Sequence, residues 1–239
     1  MPHGFYEEEG AAVELPHPPI SLSVSLVVEE AVRAAWELVR TRPSAKFALA
    51  TAEEDEVTHE LYERLYDEVF NKGVVEGFDR QLFTVVTRES KVRNYDGAML
   101  DKRPDLLIGL ADRTGVFKPS QDWIFIECKP VDCDHSVGVY YCDKGVIRFV
   151  RGEYAWAMTS ALMIGYAHKG YTIHPKLTDA LAERPALLTV HLPRPCRKSK
   201  AGLNYEAVQI SRHERAFSYV ETRKQAPAIT VRHLWLNRD

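Results

Sequence analysis

The sequence predicts an α/β protein with a central mixed β-sheet flanked by helices. Three observations predict it. The composition, 45% hydrophobic and 27% charged over 239 residues, is that of one globular domain with an ample core. Two helical patterns occupy the N-terminal third. Short apolar runs bounded by turn residues then recur to the C-terminus, as strands covered on both faces do.

Residues 1–20 hold Pro16, Pro18 and Pro19 and read as a flexible or wrapping arm. Residues 21–42 form a helix, with Val27, Val28, Ala31, Ala35, Leu38 and Val39 at helical spacing and Pro43 after the end. Residues 53–71 form the clearest helix: Val57, Leu61, Leu65 and Val69 step by four, and Gly73 follows. Its remaining surface is strongly acidic. Strands are expected at 81–87, 103–111, 123–131, 186–192, 205–211 and 229–236. The stretch 146–168 is long and apolar and reads as a deeply buried helix that Gly152 could interrupt.

Composition excludes several classes of protein. No apolar run has the ~18–20 residues a membrane helix needs. Residues 1–10 carry Glu7, Glu8 and Glu9 without a basic start, unlike a secretory leader, so four cysteines suggest reduced thiols and a cytoplasmic setting. The net charge of -3 excludes a uniformly basic nucleic-acid coat. From Arg194 onward, however, ten basic residues face four acidic ones. Arg197, Lys198 and Lys200 form a basic loop suited to phosphates. No phosphate-cradling glycine loop and no serine nucleophile elbow occurs.

The chemistry concentrates in Pro104-Asp105 and Glu127-Cys128-Lys129. Residues two apart in a strand share a face, so Glu127 and Lys129 project together while Cys128 points away. A hairpin folded near Phe117 brings Asp105 opposite them. Two carboxylates and an amine then meet at one end of a sheet. Paired carboxylates suit a hard cation such as Mg²⁺, and an adjacent lysine suits attack at phosphorus.

An acidic helix, a strand, PD, a hairpin, ECK and a following helical stretch together resemble the PD-(D/E)xK nuclease superfamily, over roughly residues 53–168. The resemblance implies a restriction-endonuclease-like fold, with 21–239 as a single nuclease-like domain and its core at about 53–215. It implies a Mg²⁺- or Mn²⁺-dependent deoxyribonuclease, an endonuclease of restriction or phage defence. Asp105, Glu127 and the Cys128 backbone carbonyl would be metal ligands, and Lys129 would position or deprotonate the attacking water. A glutamate of the acidic helix would assist, Glu60 in preference to Glu56. DNA is the implied partner, with a second copy or a defence subunit beside it and no membrane.

Further contacts to nucleic acid are expected from His213 and Arg215, which share a strand face with Ser211, and from Arg151, chosen among Arg148, Arg151, Tyr154 and Trp156. Two alternatives stand beside the nuclease. One is a catalytically inactive module of the same fold that binds nucleic acid or a partner protein. The other is a structural zinc site of Cys128, Cys133, His135 and Cys142, at irregular spacing.

Overall fold

The computed structural model describes residues 15–198 and 208–239. Its centre is a seven-stranded mixed sheet of β1 (Phe83–Arg88), β2 (Leu106–Leu110), β3 (Trp123–Val131), β4 (Ser160–Ala167), β5 (Thr189–Pro195), β6 (Gln209–His213) and β7 (Ile229–Asn237). The spatial order is β1-β2-β3-β4-β7-β6-β5. The central pairs β3–β4 and β4–β7 are parallel and the outer pairs antiparallel. Four α-helices pack on it, and the class is α/β.

One sheet face is covered by α1 (Leu22–Thr41) and α2 (Glu54–Glu63), the latter continuing as a π-helical stretch, Arg64–Phe70. Ser21 caps α1 by accepting from Val24 N at 3.2 Å. Its apolar side, Val28 to Val39, lies on Tyr166, Leu234 and Leu236, and Trp36 stacks on Tyr166 at 5.6 Å. Glu53 caps α2 in a reciprocal box with Glu56, whose Oε2 accepts from Glu53 N at 2.9 Å. Val57, Leu61, Leu65 and Val69 are all fully buried, so the four-residue stripe survives the change to π-helix.

A π-helical segment, Val137–Val146, runs into the short α3 (Ile147–Val150) and covers the other face with α4 (Lys176–Ala182). Here the expectation of a single buried helix over 146–168 is corrected. The helix stops at Val150, Gly152 turns the chain at φ +67°, and the remainder is the central strand β4. A Cβ at Gly152 would lie 2.6 Å from the Phe217 ring, so the turn needs glycine for space as well as for φ. A strand buried on both faces and a buried helix have the same apolar run; only the turn separates them.

The hydrophobic core extends to both ends of the described chain. α1 and β7 belong to it, and β7 sits inside the sheet between β4 and β6. Residues 15–20 pack rather than hang free: His17 is buried, its N donates to Ala157 O at 2.8 Å, and its Nε2 accepts from Lys118 N at 3.2 Å. Residues 1–14 lie outside the described part. Among the described residues no helix is long and apolar enough to cross a membrane.

A buried polar chain crosses β6 and β7. His213 Nδ1 faces Leu187 O at 2.9 Å, and a carbonyl only accepts, so Nδ1 carries the proton. His213 Nε2 then accepts from Ser211 Oγ, and Ser211 Oγ accepts from His233 Nε2, both at 2.7 Å. His233 Nδ1 accepts from the Tyr141 hydroxyl at 3.0 Å. With both rings neutral, this arrangement of protons satisfies every group. Burial lowers the His213 pKa to about 4 and pushes His233 well below its usual range, His213 adding to the latter. Their contribution to stability is full above the unfolded value of about 6.5 and is lost as pH falls toward about 4, on the order of a few kcal/mol. Buried Glu127, with a raised pKa, acts with the opposite sign, so the histidines are best read directly. Imidazole ¹⁵N spectra at pH 6 are expected to show both rings neutral in these tautomers; an imidazolium signal from either would contradict the network.

Candidate active site

The register of β2 with β3 pairs Leu106 with Ile126 and Gly109 with Trp123, which centres the hairpin on Val116 and puts Asp105 level with Glu127. β2 begins at Leu106, so β3 runs on beyond it from Glu127 with no strand on that side. Asp105 fills the gap. Its Oδ2 accepts from the Cys128 backbone N at 2.6 Å, where a neighbouring strand would otherwise supply the acceptor.

Lys129 shares its strand face with Glu127, and its Nζ lies 3.1 Å from Glu127 Oε1 and 3.6 Å from Asp105 Oδ2. The same Nζ donates to Cys128 O at 2.7 Å, so that carbonyl opens onto the same space. A third carboxylate arrives from the first turn of α2: Glu54 Oε1 is 2.5 Å from Lys129 Nζ. The capping box at Glu53 fixes where that turn starts and hence where Glu54 reaches.

Glu127 is fully buried and heavily supported. Tyr154 donates its hydroxyl to Oε2, and Arg148 Nη1 lies 3.0 Å from Oε1. Neither Lys129 nor Arg148 is angled to donate to Oε1, which has no hydrogen bond. Burial, with Asp105 nearby, pushes the Glu127 pKa up to about 8 against the pull of Lys129 and Arg148. Burial raises Asp105 and Glu54 as well. Burial opposes the charge of Lys129, yet Glu127, Asp105 and Glu54 outweigh it and hold its pKa above the ordinary range. Lys129 is therefore a fixed ammonium here. Asp105, Glu54 and Arg148 reach solvent, so the cluster opens on that side.

Asp105, Glu127, Lys129 and the Cys128 carbonyl are thus brought together. Glu60 is not with them. It lies further along α2, where its Oε1 accepts from Ser44 N at 3.0 Å and Arg64 Nη2 at 2.7 Å. Glu56 is used in the cap. The helix carboxylate at the cluster is Glu54, and the signal for it was the cap: a carboxylate one residue inside a capping box at the open end of the helix.

The expected nucleic-acid contacts divide in the same way. Arg151 is exposed, but Arg148 and Tyr154 are the residues that touch Glu127. Ser211, His213 and Arg215 do share a face, and that face points inward. His213 belongs to the buried polar chain of β6 and β7. Arg215 is buried and donates to the carbonyls of Trp156 at 2.9 Å, Ala155 at 3.1 Å and Met158. Neither can reach a phosphate. Arg197 and Lys198 follow the edge strand β5, four strands away from β3, and Lys198 lines the same groove as Glu29 and Glu30 of α1. Lys200 lies outside the described residues.

The zinc alternative is corrected. Cys128 faces the α1–α2 side of the sheet, Cys142 packs on the opposite side, and Cys133 is exposed. Among the described residues, Asp132, Cys133 and Asp134 at the end of β3 bring three ligand atoms within 4.8 Å of one another, with Cys133 and Asp134 exposed. Compared with protein-family models, curated proteins and solved structures, the chain matches none.

Proposed function

We propose that the protein is a divalent-metal-dependent hydrolase of DNA phosphodiester bonds, with its centre at Asp105, Glu127 and Lys129. The observation that carries this reading is the meeting of two carboxylates, remote in sequence, around one ammonium at the open end of β3. The residues fit a hard dication. Glu127 Oε1 is a buried carboxylate oxygen with no hydrogen bond, and Asp105 Oδ2 and the Cys128 carbonyl lie around the same Lys129 ammonium. A cation held by those three groups supplies Lewis-acid polarisation of a phosphoryl oxygen.

The chain's own residues do the rest. Lys129, kept protonated by its carboxylate neighbours, holds the attacking water by hydrogen bonding and offsets charge that develops on the phosphoryl oxygens. It is a poor general base in this state, which favours a positioning role over deprotonation. Glu54 sets where Nζ points. Tyr154 and Arg148 fix the rotamer of Glu127 from its two oxygens. An endonuclease in restriction or phage defence is the biological form this reading takes.

Plasmid and linear duplex mixed with the protein and Mg²⁺ or Mn²⁺ test the proposal. Cleavage is expected, and no cleavage with either metal overturns it. The same assay separates the two helix carboxylates. Glu60→Ala is expected to lose about 1–3 kcal/mol of stability, by stranding Arg64 and Ser44, and to cut normally when folded. Glu54→Ala is expected to keep its stability within about 1 kcal/mol and to cut at least about tenfold more slowly, because Lys129 loses its positioning partner. Equal cleavage by the two variants would remove Glu54 from the mechanism.

A further inference from the structure

The 17 residues between β1 and β2 form a second hairpin at the mouth of the site. Val92 and Lys102 pair antiparallel, with backbone bonds of 2.8 and 3.1 Å. Asn94 closes the tip: its N donates to Met99 O and its Oδ1 accepts from Met99 N, each at 3.0 Å. At its root the hairpin is tied to the site itself, since Glu89 N donates to Asp105 O at 3.2 Å. Its flank is braced by Tyr95, whose N bonds Gly152 O at 3.0 Å and whose ring stacks on Phe217 at 4.5 Å. Trp156 Nε1 adds a bond to Arg93 O, and Lys102 pairs with Glu153 at 2.8 Å.

This fixed scaffold carries an unusual surface. Val92 packs inward, so the register puts Lys91 and Arg103 side by side on the opposite, exposed face. Among the described residues, neither they nor Arg151, next to the Gly152 bracing point, form an ion pair, although Lys102 and Arg88 nearby do. At the tip, Met99 is 48% and Leu100 68% exposed. Asp96 and Asp101 are exposed beside the tip, and the unpaired cations stand at the root; an apolar tip raised over a cationic root suits nucleic acid better than protein. Protein interfaces deplete charge around their apolar centre, whereas duplex binders pair phosphate contacts with apolar wedges.

We propose that residues 91–103 are the arm that seats duplex DNA over Asp105. Lys91, Arg103 and Arg151 neutralise backbone phosphates, and Met99 with Leu100 enters a base step. This rests on the hydrolase reading and names its substrate as double-stranded.

The test measures binding of a fluorescent duplex in EDTA, where cutting does not intervene. Each neutralised phosphate contributes about -0.9 to the slope of log affinity against log salt. The triple variant Lys91→Ala, Arg103→Ala, Arg151→Ala is expected to flatten that slope by roughly 2–3. Met99→Ser with Leu100→Ser is expected to leave the slope alone, weaken binding about tenfold or more, and abolish fluorescence enhancement of a 2-aminopurine placed at the contacted step. All these side chains are exposed, and an unchanged melting temperature confirms that the variants are folded. An unchanged slope in the triple variant overturns the phosphate contacts. Wild-type affinity in the tip variant, or an altered oligomeric state with DNA binding intact, overturns the wedge. The hydrolase reading fails separately: a protein that binds through the arm but cuts with no metal sinks that reading, while cutting with an arm-independent slope sinks the arm alone.

Discussion

Lys129→Met is expected to cut duplex DNA at least about 100-fold more slowly than the wild type, and yet to gain more thermal stability from Mn²⁺ than the wild type gains. The two halves of this result have one cause. Three carboxylates surround a single ammonium, and that ammonium is what makes their burial tolerable without metal. Replacing it with an apolar chain of similar length leaves the carboxylates under-compensated, so a dication has more to offer them. On the proposed mechanism, cleavage loses the hydrogen-bond donor that would hold the water. Asp105→Asn is expected to lose both effects: cleavage falls comparably, and Mn²⁺ stabilisation shrinks because one charged ligand is gone. Its amide oxygen can still accept from Cys128 N, so the end of β3 remains satisfied. Thermal melts with and without Mn²⁺, beside plasmid cleavage, read both quantities. Lys129→Met cutting at the wild-type rate would remove Lys129 from the chemistry. Asp105→Asn stabilised as fully as the wild type would place the ion elsewhere.

The convergence of Asp105, Glu127 and Lys129 was legible in the sequence because strand geometry is simple. A period of two puts Glu127 and Lys129 on one face, and a turn-rich segment of known length between two apolar runs sets the pairing to within a residue. The supporting residues were not legible to the same degree. Glu54 and Glu60 are both acidic, both on α2 and six apart. What distinguishes them is that Arg64 and Ser44 neutralise one and the end of β3 meets the other. Such a distinction is tertiary. The stretch 146–168 failed for a different reason: helix and central strand demand the same apolar content, and a single glycine turn decided between them. Strand alternation also told which residues near Ser211 share a face without telling whether that face looks out or in. Polar residues at period two read as an exposed edge, whereas here they are a hydrogen-bonded core layer.

The inward face makes Arg215 a structural cation. Arg215→Ala is expected to cost about 3–5 kcal/mol, lowering the melting temperature by roughly 10 °C for a chain of this size. The guanidinium spans the carbonyls of Ala155, Trp156 and Met158, and its removal leaves those of Trp156 and Met158 buried without donors, while Ala155 O keeps only Met158 N. Burial already pulls its pKa down to about 10, the mark of a cation kept for its hydrogen bonds. Arg215→Lys is expected to recover little, because one ammonium cannot reproduce a planar fork that reaches three carbonyls. The damage should also spread in a defined direction. Residues 155–158 join the Tyr154 that supports Glu127 to the Trp156 that braces the arm, so Arg215→Ala measured well below its melting point should bind DNA with an unchanged salt slope and cut it more slowly. A variant as stable as the wild type whose salt slope falls by about one would instead mark Arg215 as a phosphate contact, and the loop from Tyr154 to Met158 would then have to open to let a duplex reach it.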